Sequence, residues 1–563
     1  MGIIDQVKVL HSEGLFSNVA ILACLVKTAC EQNPELLTPS EKYQLQVYYA
    51  DALFEQQEYK KAELLYRRAL QLKKVLLKSK VKGGSHSHSS SQQQSSADGL
   101  PSELDVKFRI YECNYHLKSY REAIAVLESI PAKQRKPNVN MALAKLYQHF
   151  GMERSATTGF KEVLKQCPLA LEAVLGLLSL GVKGTEVAAL TINSLPNASN
   201  LEWLTFWLKG HAYSASKDYA KAVSTFKSLE TGSVLRENIN VLCCLAENHF
   251  LSGDLANAAL VYKRVHALDP LYLKGMDVYA YLLAKENSKD LQNLANELMS
   301  VTDKRPEPWI AMGYYCSKTP AKATRAVYFA QRAFQLDPRN VQCLLLKGNV
   351  LKDMNKIPEA LLHFREAVRT APHRFETHQG VVECYVKQGR VREAMSTASN
   401  ACKVLGQTPR PLTLLGSVLA KDSLSVEKAK TMLEKALAIE STYLDAVYLL
   451  ADIHQEEKSY TKAIDLLRQQ LQNQSTARLH QILADCLAAN NELQEALDQY
   501  SIALTLDPTN KKALEGMQKV EKATDGLEAG HEDEMEIAEE SGEDLDYDAS
   551  DAEVSWADNE WFS

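Results

Sequence analysis

Apolar residues recur along most of this chain at spacings of three and four, grouped into short amphipathic segments that come in pairs. The stretch KGNVLKDMNKIPEALLHFREAVRTAP (347–372) carries the pattern most clearly. Two segments meet at Asn355, Lys356, Ile357 and Pro358, and Pro372 closes the second. Such spacing predicts amphipathic α-helix. Each segment is too brief to be stable alone in water, so the pair predicts a helical hairpin that needs a neighbour.

The neighbours are copies. Gly348, Leu351, Ala360, Phe364, Ala367 and Pro372 define a grid that returns downstream as Ala484, Leu487, Ala496, Tyr500, Ala503 and Pro508. Upstream it returns as Ala246, Ala258, Tyr262 and Pro270, and before that as Gly210, Tyr213, Ala222 and Phe226. Two antiparallel helices approach closely where small residues face each other, here Gly348 and Ala360 by expectation. The aromatic position then fills the space towards the next hairpin. Pro358 sits where a helix start tolerates a missing N–H, and Pro372, Pro270 and Pro508 stop the second helix.

The grid places units near Tyr43, Leu104, Pro137, Leu169, Trp203, Ile239, Leu273, Pro306, Val341, Phe375, Pro409, Leu444 and Ala477, at intervals of 32 to 36 residues after a first interval of 61. The Leu273 unit lacks the Ala and the aromatic, and the units at 306 and 409 need a one-residue insertion. This pattern resembles the tetratricopeptide repeat, with its 34-residue period, and Trp309, Met312 and Gly313 match that repeat's opening. The resemblance implies an all-α, right-handed superhelical solenoid of helix-turn-helix units.

The expected order is an N-terminal helix pair (1–42), a first repeat (43–78), a low-complexity loop (79–102), about twelve repeats (103–508), a closing helix (509–523) and a disordered acidic tail (524–563). The long first interval contains GGSHSHSSSQQQSSADG, whose composition cannot bury enough surface to order itself. His86 and His88 there are compatible with a metal but read as part of a solvated loop.

Charge separates body from tail. From Thr524 onward there are 16 acidic and no Lys or Arg residues, leaving 64 basic against 55 acidic residues before it. Within the tail, Trp556, Trp561 and Phe562 are open to two readings, a short docking motif or plain solvated chain. The excess of basic residues over so long a body is no nucleic-acid stripe, and LKKVLLKSKVK (72–82) is local. The longest apolar run, VAILACLV (19–26), is too short to cross a bilayer. The opening MGIIDQVKVLHSEG has neither a secretory leader pattern nor, with Gln6 in place, a good myristoylation signal. The chain reads as soluble and intracellular, with no membrane and no nucleic-acid partner.

The eleven cysteines show no metal spacing. Cys113, Cys384 and Cys486 share one repeat position, which assigns them to packing. No phosphate-binding glycine loop, nucleophile elbow or zinc-protease motif is present, and the repeats leave no room for a catalytic domain. The chain reads as no enzyme, with no cofactor and no metal.

Binding remains. Stacked hairpins offer a groove lined by the first helix of each unit. Spacing directs Gln342, Leu345, Asn349, Lys352 and Asp353 towards it, and from the next unit Glu376, Gln379, Glu383 and Lys387. Asn349, Lys352, Glu383 and Lys387 are the candidate partner residues. Leu345 stands where a chaperone-binding clamp needs Lys, which argues against a co-chaperone. The second N-terminal helix is apolar nearly all round, and a helix of that kind needs cover on more than one side. A second copy and the chain's own neighbouring helices both qualify. Leu15, Phe16, Val19, Leu22 and Val26 are the candidate dimer residues.

The N-terminal helix pair, the Ser/His/Gln-rich loop, the segment LLLKGNVLKDMNKIPEALLHFREAVRTAPHRFE and the ending WADNEWFS together resemble the subunit-seven family of the anaphase-promoting complex, or cyclosome. That resemblance implies a non-catalytic scaffold subunit of a cell-cycle-regulated RING-type ubiquitin ligase acting in mitosis. It also implies a homodimer joined through N-terminal repeats and stacked on other tetratricopeptide subunits. Related subunits hold Ile-Arg tails of coactivators, which makes such tails possible partners of the groove; this chain ends Phe-Ser and is no tail donor of that kind. Nuclear and cytoplasmic localisation, with spindle association in mitosis, is the matching expectation, and Thr38, Thr319 and Thr408, each before Pro, are candidate phosphosites. The alternative is a free-standing adaptor that presents peptide clients.

Overall fold

The computed structural model describes residues 2–82, 100–194, 201–232, 234–319 and 322–533. Among them are 29 α-helices and no strand. The helices fall into two compact units, Met1–Asp269 and Pro270–Ser563.

The first unit opens with α1 (Ile3–Ser12) and α2 (Phe16–Gln32), which pack on α3 (Pro39–Glu55), the first helix of the hairpin completed by α4 (Tyr59–Lys82). The first repeat therefore starts at Pro39, four residues before the apolar grid indicates. Its start signal is polar. Thr38 accepts a hydrogen bond from the Glu41 N–H (3.3 Å), Thr38 N–H donates to the Glu41 carboxylate (2.8 Å), and Pro39 takes the first helical position. At the other end α4 runs on to Lys82, into the tract expected to be loop. Residues 83–99, with His86 and His88, lie outside the described residues.

In the second unit the helices Pro306–Lys318, Val341–Asp353, Phe375–Lys387, Pro409–Leu419, Leu444–Glu456 and Ala477–Ala489 each begin at a unit start read from the grid. The degenerate unit near Leu273 is also a hairpin, Met276–Lys285 with Asp290–Val301, its first helix delayed by Gly275 at φ 84°. The closing helix Lys511–Asp533 extends ten residues beyond its expected end; residues 534–563 lie outside the described residues.

Packing follows one local rule with one correction. The atoms nearest to a Cβ at Gly348 belong to the Phe364 ring (2.7 Å), not to Ala360, and the same ring is nearest to Gly380 of the next hairpin. Two glycines thus clear the space for one aromatic that joins two hairpins. Gly210 does this for Phe226, and Gly516 of the closing helix for Tyr500. Tyr66 and Tyr500 are buried yet satisfied, donating to Asp51 and Asp485 of their own hairpins at 2.5 Å each.

Between the helices of a hairpin the chain reverses through one left-handed residue, such as Asn355 (φ 61°), after which the Lys356 N–H reaches back to the Leu351 carbonyl (2.9 Å). Lys118, Lys217 and Lys458 occupy the same turn position without being glycine.

Candidate dimer face and partner groove

α2 carries no charged residue from Gly14 to Val26, so its apolar surface exceeds what one neighbour can cover. Val19, Ala23 and Val26 face Ile4, Val7, Leu37, Leu45 and Ala52 of the chain's own core. Val19 is fully buried and Val26 nearly so, which removes both from the candidate dimer face. Phe16 and Leu22 are half-buried against the same cluster. Leu15 stays exposed.

The surface α2 does present is a different stripe. Ile21 is 63% and Leu25 65% exposed, and with Ser17, Ala20, Cys24 and Gln56 they frame a shallow apolar depression. Residues two apart on an α-helix point about 200° away from each other, so Ile21 and Leu25 oppose Val19 and Ala23. A helix apolar all round contains both stripes, and only packing separates them.

In the second unit, Lys352 draws the groove candidates together. Its Nζ lies 2.5 Å from the Glu383 carboxylate and 3.2 Å from Asn349 Oδ1, and Gln379 Nε2 donates to Glu383 at 2.8 Å. With Tyr281, Leu345, Glu376 and Gly380 these side chains surround a cavity of about 110 Å³. Their polar groups mostly satisfy one another. Gln342 and Leu345 are buried, and buried Glu376 is held by Arg410 at 2.9 Å, so none of the three is displayed to a partner. Lys387 and Asp353 are exposed and stand outside the network.

A larger cavity, about 310 Å³, opens beside it, lined among others by Lys285, Phe375, Arg410, Tyr443, Tyr448 and Arg478 with Asp445 and Asp452. Burial, then the Arg410 charge, lowers the Lys285 ammonium below its usual range. Burial likewise raises the Asp452 carboxyl. Thr413 contributes a buried hydroxyl without a hydrogen-bond partner among the described residues. The arrangement offers separated cations and carboxylates between aromatic walls, suited to a short polar peptide. Grid reasoning missed it because Lys285 comes from the degenerate unit and Arg478 from a unit six hairpins further on.

Of the threonine candidates, Thr38 and Thr408 are exposed at helix starts. Thr319 is half-buried and its hydroxyl donates to the Tyr315 carbonyl (3.0 Å), which disfavours modification there. Burial raises the thiols of Cys113, Cys384 and Cys486 to about 12, 11 and 12, so they stay protonated and pack. Among the described residues no His, Cys, Asp and Glu cluster could hold a metal, and no helix is long and apolar enough to cross a membrane.

Comparison with known proteins agrees with this architecture. The family model described as anaphase-promoting complex, cyclosome, subunit 3 matches residues 422–501. Anaphase-promoting complex subunit 7 of Mus musculus and that of Homo sapiens are each 46% identical to this chain over the full length of both proteins. A chain in the crystal structure of the APC/C hetero-tetramer Cut9-Hcn1 superposes with TM-score 0.56 at 15% identity, covering 92% of this chain and 96% of that one, a likeness of fold. On the full-length identity, the chain belongs to the anaphase-promoting complex subunit 7 family.

Proposed function

We propose that this protein is a non-catalytic scaffold subunit of the anaphase-promoting complex, the ubiquitin ligase of the cell cycle, and that it works as a homodimer among other tetratricopeptide subunits in nucleus and cytoplasm. Full-length identity to subunit 7 proteins supports the assignment to the complex. The observation that carries self-association is the uncharged stripe of Ile21 and Leu25 on α2, which no part of the described chain covers. Apolar surface of this kind gains by burial against an identical copy. Affinity purification of the tagged chain tests the role: a stoichiometric large assembly with ubiquitin-ligase activity supports it, and scattered substoichiometric clients support the adaptor reading.

The 310 Å³ cavity favours a second task in the same chain, holding a coactivator tail, since Lys285 and Arg478 offer cations for a terminal carboxylate and Asp445 and Asp452 carboxylates for a basic side chain. A fluorescent peptide ending in Ile-Arg, titrated with the full chain and with Arg478→Ala, tests this: binding weakened at least about tenfold by the substitution supports it, and equal binding contradicts it.

A further inference from the structure

The hairpin of helices Pro306–Lys318 and Ala323–Leu336 stands out by its charge. From Pro308 to Leu336 it holds four Lys and Arg and no Asp or Glu. The residues just before, Asp303 to Glu307, add two acids and two bases, and Glu307 is buried and held by Arg305 (2.7 Å).

One flank of the second helix gathers rings as well as charge. Trp309 lies 6.2 Å from Tyr328 and 6.0 Å from Phe329, and these two lie 5.5 Å from each other. The Arg332 guanidinium is 5.7 Å from the centre of the Trp309 ring, so the four side chains form one connected cluster. The indole is fixed by its Nε1–H, which donates to the Asp303 carbonyl (2.7 Å). Arg325 precedes Arg332 by seven residues, close to two helical turns, so it occupies the same flank about 10 Å along the axis, with Tyr328 between the two. Tyr328 is 62% exposed, and both arginines are exposed.

Other arginines of this unit already hold carboxylates. Arg305, Arg369, Arg390, Arg410 and Arg468 each meet one at 2.9 Å or less. Arg325 and Arg332 form no ion pair among the described residues, and Arg332 donates to Gln335 Oε1 (3.3 Å). Trp, Tyr and Arg without acidic neighbours is the composition of binding hot spots. Two guanidinium groups on either side of exposed rings are complementary to carboxylates on either side of an apolar side chain.

We propose that the flank formed by Trp309, Arg325, Tyr328, Phe329 and Arg332 binds an acidic segment of another protein. Its carboxylates pair with Arg325 and Arg332, and an aromatic or aliphatic side chain between them lies on Trp309 and Tyr328. None of these residues lines the cavity of Lys285 and Arg478, so this surface and that cavity are tested separately.

Fluorescence anisotropy of the full chain tests this, with a short fluorescein-labelled peptide that carries Glu on both sides of a Leu-Phe pair. Replacing Leu-Phe by Ser-Ser, or every Glu by Gln, is expected to weaken binding about tenfold, as are Arg325→Glu with Arg332→Glu and, separately, Tyr328→Ala. All three positions are exposed, which spares the fold, and unchanged circular dichroism verifies it. Lys428→Glu with Lys435→Glu is the matched control, because these exposed lysines have the same spacing on helix Val426–Ile439, which carries no aromatic residue. That variant and Arg478→Ala should each leave binding within about twofold. An acidic peptide that does not bind, equal losses from the two charge reversals, a Ser-Ser peptide that binds as well as the parent peptide, or loss of binding on Arg478→Ala would overturn the proposal. So would oligothymidylate binding more tightly than the peptide and failing with Arg325→Glu and Arg332→Glu, since the flank would then be a nucleic-acid surface.

Discussion

Phe364 shows how single residues hold this chain together. Its ring lies where the Cβ atoms of Gly348 and Gly380 would stand, so Gly380→Ala forces the ring to move. Alanine adds about 1 kcal/mol of helix propensity, while overpacking a tight core costs about 1–3 kcal/mol. The expected net is a loss of stability, measured as a lowered melting temperature. In a Phe364→Leu background the penalty should shrink, because neighbouring substitutions couple. Asp277 offers a test through pH. It is half-buried, and desolvation raises its carboxyl against the hydrogen bond from Asn340 Nδ2 (3.1 Å). A carboxyl raised in the folded state binds more protons there than when unfolded, so its contribution to stability falls as pH rises from about 3.9 through the folded value. Asp277→Asn should therefore gain stability relative to the parent as pH is raised from about 4 upward, and a melting-temperature difference that stays flat or reverses refutes this.

At the scale of the helix, what could be read from the sequence depended on which signal marked each boundary. Starts at Val341 and Ala477 are legible because apolar register and cap coincide there, Asn340 and Thr476 accepting from the Cys343 and Leu479 N–H groups. The first repeat starts ahead of its apolar grid because the capping box of Thr38 and Glu41, a polar signal, sets its first turn. Thr38→Ala should cost about 1 kcal/mol of local stability, seen as faster hydrogen exchange at the first turn of α3 with other hairpins unchanged. Side-chain direction was harder to read than helix position. Spacing aimed Gln342 and Glu376 at the groove, yet the first is buried and the second is neutralised by Arg410. On α2, an unbroken apolar circumference leaves no polar face to fix which stripe turns inward, so spacing alone does not separate buried Val19 and Val26 from exposed Ile21 and Leu25.

For the whole molecule, helical hairpins repeated through the described residues and an uncharged exposed stripe on α2 fit the proposed role of contact with other chains. Membership of the subunit 7 family was legible from the repeat register together with the ends of the chain; the proposed self-association surface required the packed structure. Sedimentation equilibrium of the full chain at micromolar concentration tests the central claim most directly, comparing the parent with Ile21→Glu and Leu25→Glu combined. Two charges forced into an apolar interface of this kind cost several kcal/mol, enough to dissociate it. The account predicts twice the chain mass for the parent and the single-chain mass for the variant, with unchanged helical content by circular dichroism. A monomeric parent, or a variant that remains a dimer, would contradict it.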